Sequence, residues 1–366
     1  LFFSHANIFH FSIYKGEIRR MKKTSFRISG QALVGEELAL LPVDIIIENG
    51  TITALEEARH APMVWICPAF FNAHTHLGDT IAMDCGVRGD LESLVTPPGG
   101  LKHRFLAAAS HQDLVAGMHA SIQGMITGGT AGCADFREGG RKGVTALRES
   151  AEGLAFRPII FGREGGEEIA DGLGISSTRD VPGTDTLVAK AKRAGKKIAL
   201  HAGERDAADV DEALALDPDL LIHCTHATKK QLRECADRQI PIAICPRSNW
   251  ILGVTSSAHH PPVQLMQDLG CKLLLGTDNV MFVPPDMFSE MAFTSAVYRI
   301  DPIVLLGAAI RGSELTGSSF FIRKGARANL FCIDPEQSTL HFSRDPVTSI
   351  IKRASGSIIG NNVFNW

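Results

Sequence analysis

Residues 64–76 read VWICPAFFNAHTH, an apolar run that ends in two histidines one residue apart, His74 and His76. A short apolar run bounded by polar sequence predicts a buried strand. Side chains at i and i+2 of a strand share a face, so both imidazoles can meet one metal ion at the strand end. Matching residues close later apolar runs: His201 after KKIAL, His223 after DLLI and Asp278 after CKLLLGT. Imidazoles and a carboxylate in this combination suit zinc or ferrous iron, with one position left for water.

Outward from that stretch, the middle of the chain alternates. Strand-like runs at 65–72, 129–135, 157–162, 172–176, 197–202, 219–224, 240–245 and 271–277 are separated, for the most part, by helix-like stretches, the longest at 104–126. Eight β-then-α units over about 250 residues predict an α/β fold of the (β/α)8 TIM-like barrel type. A barrel brings every strand C-terminus to one face, where residues 74, 76, 201, 223 and 278 can converge. An open doubly wound sheet would spread them across its width.

Both ends of the chain read differently. IIIENGTITAL carries Asn49-Gly50 between two β-rich runs, a hairpin signal. ANLFCID, STLHF and SIIKRASGSII are β-rich near the other end. The expected division is a small sheet domain from residues 21–66 and 321–366 around a barrel of residues 67–320. Residues 1–20 are expected to be an extension outside the fold, with Met21 as a natural start.

Composition narrows the function classes. A net charge of −3 argues against a nucleic-acid partner. No run approaches the apolar length of a membrane span. The eight cysteines include no C-x-x-C pair, which predicts reduced thiols and a cytoplasmic setting. No G-x-G-x-x-G follows a first strand, against a dinucleotide-binding oxidoreductase. The P-C-x-x-C of the zinc nucleoside deaminases is also missing. A small-molecule substrate is the expected partner, with a homo-oligomer left open.

A metal-activated water needs a proton acceptor. Glu204, three residues past His201 in HAGE, is the candidate shuttle. His223 could orient water or substrate, and Asp278 could accept the water proton. Arg88, Arg163, Arg247 and Asn249 are candidate substrate contacts. His103, His111 and His119 are read as solvated or capping residues. His226 is read as packing behind the pocket or reaching it, and His259 and His260 as loop residues near its entrance.

These motifs resemble the amidohydrolase superfamily, in its branch of cytosine, guanine, adenosine and S-adenosylhomocysteine deaminases and triazine hydrolases. PAFFNAHTHL resembles the first-strand motif, GGTAGCADF the second, HAGE the fifth and IHCTH the sixth. CPRSN followed by PPVQLMQDLGCKLLLGTDN is similar to the stretch that ends in the strand-eight aspartate. The resemblance implies His74, His76, His201 and Asp278 as metal ligands, Glu204 as proton shuttle and His223 as the assisting histidine. It also implies a composite β-sandwich built from both chain ends. No lysine lies between residues 157 and 188, which disfavours the lysine-bridged metal pair of dihydroorotase-like relatives. The expected reaction is hydrolytic deamination of an aminated heterocycle. Ring opening of a cyclic amide, as in imidazolonepropionase-like enzymes, is the alternative.

Overall fold

A computed structural model describes residues 25–85, 89–97 and 99–364. The proposed extension and Arg88 therefore lie outside the described residues.

Strands β1 (Ser25–Val34), β2 (Ala39–Glu48) and β3 (Thr51–Glu57) form an antiparallel meander. Asn49 and Gly50 turn between β2 and β3 at φ of 49° and 74°. Two consecutive positive φ values mark the turn that Asn-Gly favours in hairpins. β4 (Trp65–Pro68) pairs parallel with β1, while the late strands β14 (Leu330–Ile333) and β15 (Ile359–Val363) complete the sheet. The two chain ends thus build one six-stranded sheet, in the order β15-β14-β4-β1-β2-β3.

The run at 65–72 is not one strand. Ala69 divides it: β4 belongs to the small sheet, and β5 (Phe70–His76) opens the barrel. The sheet boundary therefore falls beyond residue 66. The strand reading of 338–342 is also corrected, since Thr339–Phe342 is a short 3-10 helix. In SIIKRASGSII, most of the first half belongs to a helix, Pro346–Arg353, started by Asp345, whose side chain accepts from the Thr348 N–H at 3.2 Å. Pro346 suits its first turn because no N–H is needed there.

The barrel strands are β5, β6 (Thr130–Arg137), β7 (Arg157–Gly162), β8 (Gly172–Ile175), β9 (Lys197–Ala202), β10 (Leu220–His223) and β11 (Ile242–Ile244), followed by β12 (Leu273–Leu275) and β13 (Asp278–Asn279). All their pairings are parallel. The order begins at β12 and ends at β13, two pieces of one segment separated by Gly276 and Thr277. One piece pairs with β11 and the other with β5, which closes the ring on eight strand positions. Gly276 permits the crossing, because a Cβ there would lie 2.7 Å from the His74 amide nitrogen. Near-continuous burial along β10 to β12 explains their mainly apolar sequence.

Among the described residues, a 3-10 helix (Leu77–Ala82) and three α-helices stand between β5 and β6: α1 (Leu91–Val95), α2 (Leu101–Ala108) and α3 (His111–Thr127). The single helix expected over 104–126 is broken at Ser110, whose hydroxyl caps α3 by accepting from the Asp113 N–H at 3.1 Å. All eight cysteines are free, seven of them buried. Among the described residues no helix is long and apolar enough to cross a membrane.

Candidate active site

Five polar side chains meet at the C-terminal rim of the barrel. His74 and His76 close β5, His201 lies near the end of β9, His223 ends β10 and Asp278 opens β13. His223 and Asp278 take φ of 71° and 62°, a conformation rare for residues with a side chain. Strain of this kind persists where the surroundings over-determine it, commonly at functional sites.

The donor atoms of His74, His76 and His201 lie within 4.8 Å of one another, as do those of His74, His223 and Asp278. Asp278 Oδ1 is 3.2 Å from His74 Nε2 and 3.5 Å from His76 Nε2. Its other oxygen accepts from the Ser248 hydroxyl at 2.7 Å, and Asn279 Nδ2 donates to Oδ1 at 3.0 Å. These contacts fix the carboxylate before any ion binds.

Two of the imidazoles are oriented from behind. His76 Nδ1 points at the Phe136 carbonyl (3.1 Å) and at Glu138 Oε1 (2.8 Å), so its Nε2 faces the cluster. His201 Nδ1 donates to the Ile175 carbonyl at 3.0 Å. Arg163 Nη2 sits 3.4 Å from the same Nδ1, but a nitrogen that already carries the proton cannot accept a second. Arg163 is there as a neighbouring charge. Such orientation of the far ring nitrogen is how proteins prepare histidine for a metal. His223 differs: both its ring nitrogens are buried without a hydrogen-bond partner, and Nε2 lies 3.5 Å from Glu204 Oε1. Orphaned imidazole nitrogens beside three other histidines and a carboxylate fit a bound cation and solvent.

The electrostatics agree. Burial lowers His74 to about 4 and His76 to about 3, and it holds His201 well below the ordinary value. All three are neutral at pH 7 and free to donate a lone pair. Burial alone would raise Asp278, but the His74 hydrogen bond and the facing histidines hold it well below the usual carboxylate range. Glu204 goes the other way, raised chiefly by burial with His223 opposing. Its side chain keeps 18% exposure, so it sits between the cluster and solvent.

Residues 65–354 match the family described as the amidohydrolase family. The chain belongs to that family. Over 375 residues it is 32% identical to a Methanothermobacter thermautotrophicus protein that carries the provisional name aminohydrolase, covering 90% of this chain and 95% of the relative. It is 24% identical to a 5'-deoxyadenosine deaminase of Methanococcoides burtonii, over 88% and 86% of the two chains. Its fold is that of a Xanthomonas campestris adenosine deaminase solved with bound zinc: TM-score 0.70, 17% identity, 92% and 91% covered.

In this amidohydrolase the chamber over the rim has a volume of about 50 Å³, and its walls include Arg163, His201, Glu204, His223 and Asp278. A neighbouring cavity of about 340 Å³ shares Pro97, Arg163, Ser176 and Asp180 with it. Of the expected substrate contacts, Arg163 lines the chamber. Arg247 stands off its wall: its guanidinium is taken up by Glu290, at 2.6 Å, and by the carbonyls of Pro284 and Asp286. Asn249 is buried away from the chamber wall and donates to the Thr225 hydroxyl at 2.8 Å. His226 and His260 face each other at 5.0 Å, tied to the Val254 and Thr225 carbonyls, and with exposed His259 they stay off the chamber wall. His103 is held to the Val95 carbonyl, whereas His111 makes an exposed pair with Glu149.

Sequence reading missed a buried charge cluster beside His76. Asp79, Asp135 and Glu138 face Lys102, Arg137 and Arg163, three acids against three bases. Burial pushes Asp79 up to about 7, with Lys102 pulling it back. Glu138 ends well below its usual range because Lys102 and His76 outweigh its burial. The signal in the sequence was ADFRE at 134–138, charges that close an otherwise apolar strand.

Proposed function

We propose that this amidohydrolase removes an amino group from an aminated heterocycle, a purine, pyrimidine or related ring, by hydrolysis at a single divalent ion. Zinc is the first choice and ferrous iron the second. The carrying observation is the pair of overlapping donor groups at the rim, with Glu204 3.5 Å from His223. His74, His76, His201 and Asp278 would hold the ion. Bound there, it supplies Lewis acidity that lowers the pKa of water toward neutral.

The protein's own groups handle the protons and the geometry. Glu204, raised by burial, takes a proton from the attacking water and returns it to the ring nitrogen or the leaving amine. His223, with no partner at either ring nitrogen, orients the water or the ring. Asp278, whose Oδ2 accepts from the Ser248 hydroxyl, would help by accepting a proton from the water. The exocyclic bond between the ring carbon and its amino nitrogen breaks, a C–O bond replaces it, and ammonia leaves with the proton that Glu204 carried. Arg163, whose buried Nε has no partner, would hold the ring's polar edge, and the 340 Å³ cavity beside it would take a substituent. The two chain ends share an apolar cluster that includes Ile45, Ile47, Ile52, Ile66 and Leu330 on their one six-stranded sheet, which supports a composite end domain.

The test strips the protein of metal, restores Zn2+, and measures ammonia release from aminopurines, aminopyrimidines and their nucleosides, with imidazolones alongside. Zinc-dependent ammonia release is expected. Ring opening of an imidazolone without ammonia would replace this reading with cyclic-amide hydrolysis.

A further inference from the structure

The chamber is roofed by α1 and α2. Leu91, Val95, Thr96, Pro97 and Lys102 from this segment line it. Both helices are poorly anchored by apolar contact: Leu94 is the buried residue of α1, and Lys102 that of α2. A helix whose buried residue is a lysine is unusual, since lysine is seldom buried unless paired. Burying an ammonium costs several kcal/mol before its partners compensate, on the order given for buried ions. An apolar side chain would fasten the roof more cheaply.

The partners of that ammonium are informative. Lys102 Nζ lies 3.1 Å from Asp79 Oδ2, 2.9 Å from Glu138 Oε1 and 3.3 Å from Asn279 Oδ1. The ammonium therefore donates to the Asn279 amide oxygen and sits among the acceptor groups of two carboxylates with which it makes ion pairs. Two of these acceptors also touch the proposed metal ligands. Glu138 Oε1 is 2.8 Å from His76 Nδ1, and Asn279 Nδ2 donates to Asp278 Oδ1 at 3.0 Å. One ammonium thus connects the roof to His76 through Glu138 and to Asp278 through Asn279.

We propose that Lys102 is a positioning residue that couples the roof of the chamber to the metal ligands, so that closing the roof and holding the ion reinforce each other. The inference rests on the metal-centre reading and not on which ring is deaminated. The chamber of about 50 Å³ borders the cavity of about 340 Å³, and Pro97 of the roof segment lines both, so this segment stands where substrate would enter. Each roof helix has one buried residue, and of the two Lys102 reaches the partners of the proposed ligands. Coupling of this kind is reciprocal: whatever the roof does for the ion, the ion does for the roof.

The experiment uses the full chain, stripped of metal, with Zn2+ alone as ligand. Zinc affinity is read by competition with a chromophoric chelator, and amide hydrogen exchange is followed in peptides covering 91–108. In the wild type, Zn2+ should slow exchange in those peptides about tenfold or more. In Lys102→Met the zinc dissociation constant should rise about 10–100-fold, the range for losing an outer partner of a ligand, and the slowing should vanish. Lys102→Arg, which keeps the charge, should restore part of both. A merely structural lysine would lower stability without linking roof exchange to zinc. Roof exchange indifferent to Zn2+ in the wild type overturns the proposal even if Lys102→Met fails to fold, and so does unchanged zinc affinity in a folded Lys102→Met. If the wild type binds no zinc, the metal-centre reading falls and takes this inference with it. A zinc-binding protein inert toward aminated rings leaves it standing.

Discussion

His74 Nε2 and Asp278 Oδ1 lie 3.2 Å apart across 204 residues of sequence, one on the first barrel strand and the other on the last. Asp278 is the one carboxylate in the proposed ligand set. Asp278→Asn keeps the shape and removes the charge. Zinc affinity is expected to fall more than about 100-fold, beyond what losing an outer partner does. Elemental analysis after dialysis against a chelator measures it, and one retained equivalent of zinc would remove Asp278 from the set.

Glu204 should be separable from the ion. Glu204→Gln is expected to keep the zinc stoichiometry while kcat falls about 10²–10⁴-fold, the usual contribution of a positioned acid–base group. Because burial raises Glu204, the acid limb of the wild-type rate profile should lie above the ordinary carboxylate range, with activity lost as pH falls through it. The same limb persisting in the glutamine variant would assign it to another group.

The neutral imidazoles have a cost in acid. His74 titrates near 4 in the fold because of burial, against about 6.5 in an unfolded chain. Between those values the unfolded state binds more protons, so the metal-free protein should lose stability as pH drops from about 6.5 toward 4. Replacing His74 by Asn removes this group's share. Denaturation midpoints of the two metal-free proteins should converge in acid, and a gap independent of pH would contradict the assignment.

Arg247 is expected to matter for stability alone. Its partner Glu290 is fully buried, and Arg247→Met leaves that carboxylate unpaired. Breaking a buried pair costs about 3–5 kcal/mol. Chemical denaturation should show that loss, while the folded fraction binds zinc and substrate as before. A raised KM at unchanged stability would return Arg247 to the substrate-contact role.

The residues of the proposed ligand set were legible because each ends a strand whose apolar run announces it: FFNAHTH, KKIALH and LLLGTD place their polar residues by simple alternation and termination. The family resemblance then implied the same roles for His201 and Glu204 that their place in HAGE had suggested. What sequence could not show was orientation off the strands. Arg163 and Arg247 look alike along the chain, yet one turns toward the chamber and the other to Glu290. Lys102 sits in a helix with nothing around it to mark burial, because its partners lie 23, 36 and 177 residues away, at Asp79, Glu138 and Asn279. The end-domain strands were overcounted for a related reason: STLHF and SIIKR are β-prone by composition, but Ser338 caps a 3-10 turn over the first, and Asp345 and Pro346 start the helix that contains the second.

The joint where the ring closes is where its last segment changes partners at Gly276-Thr277, and His74 and Asp278 stand on either side of it. A cation gripped by both would act as a rivet through that joint. Stripping it should loosen the barrel first at this edge, leaving the opposite wall, β8 with β9, as tight as before.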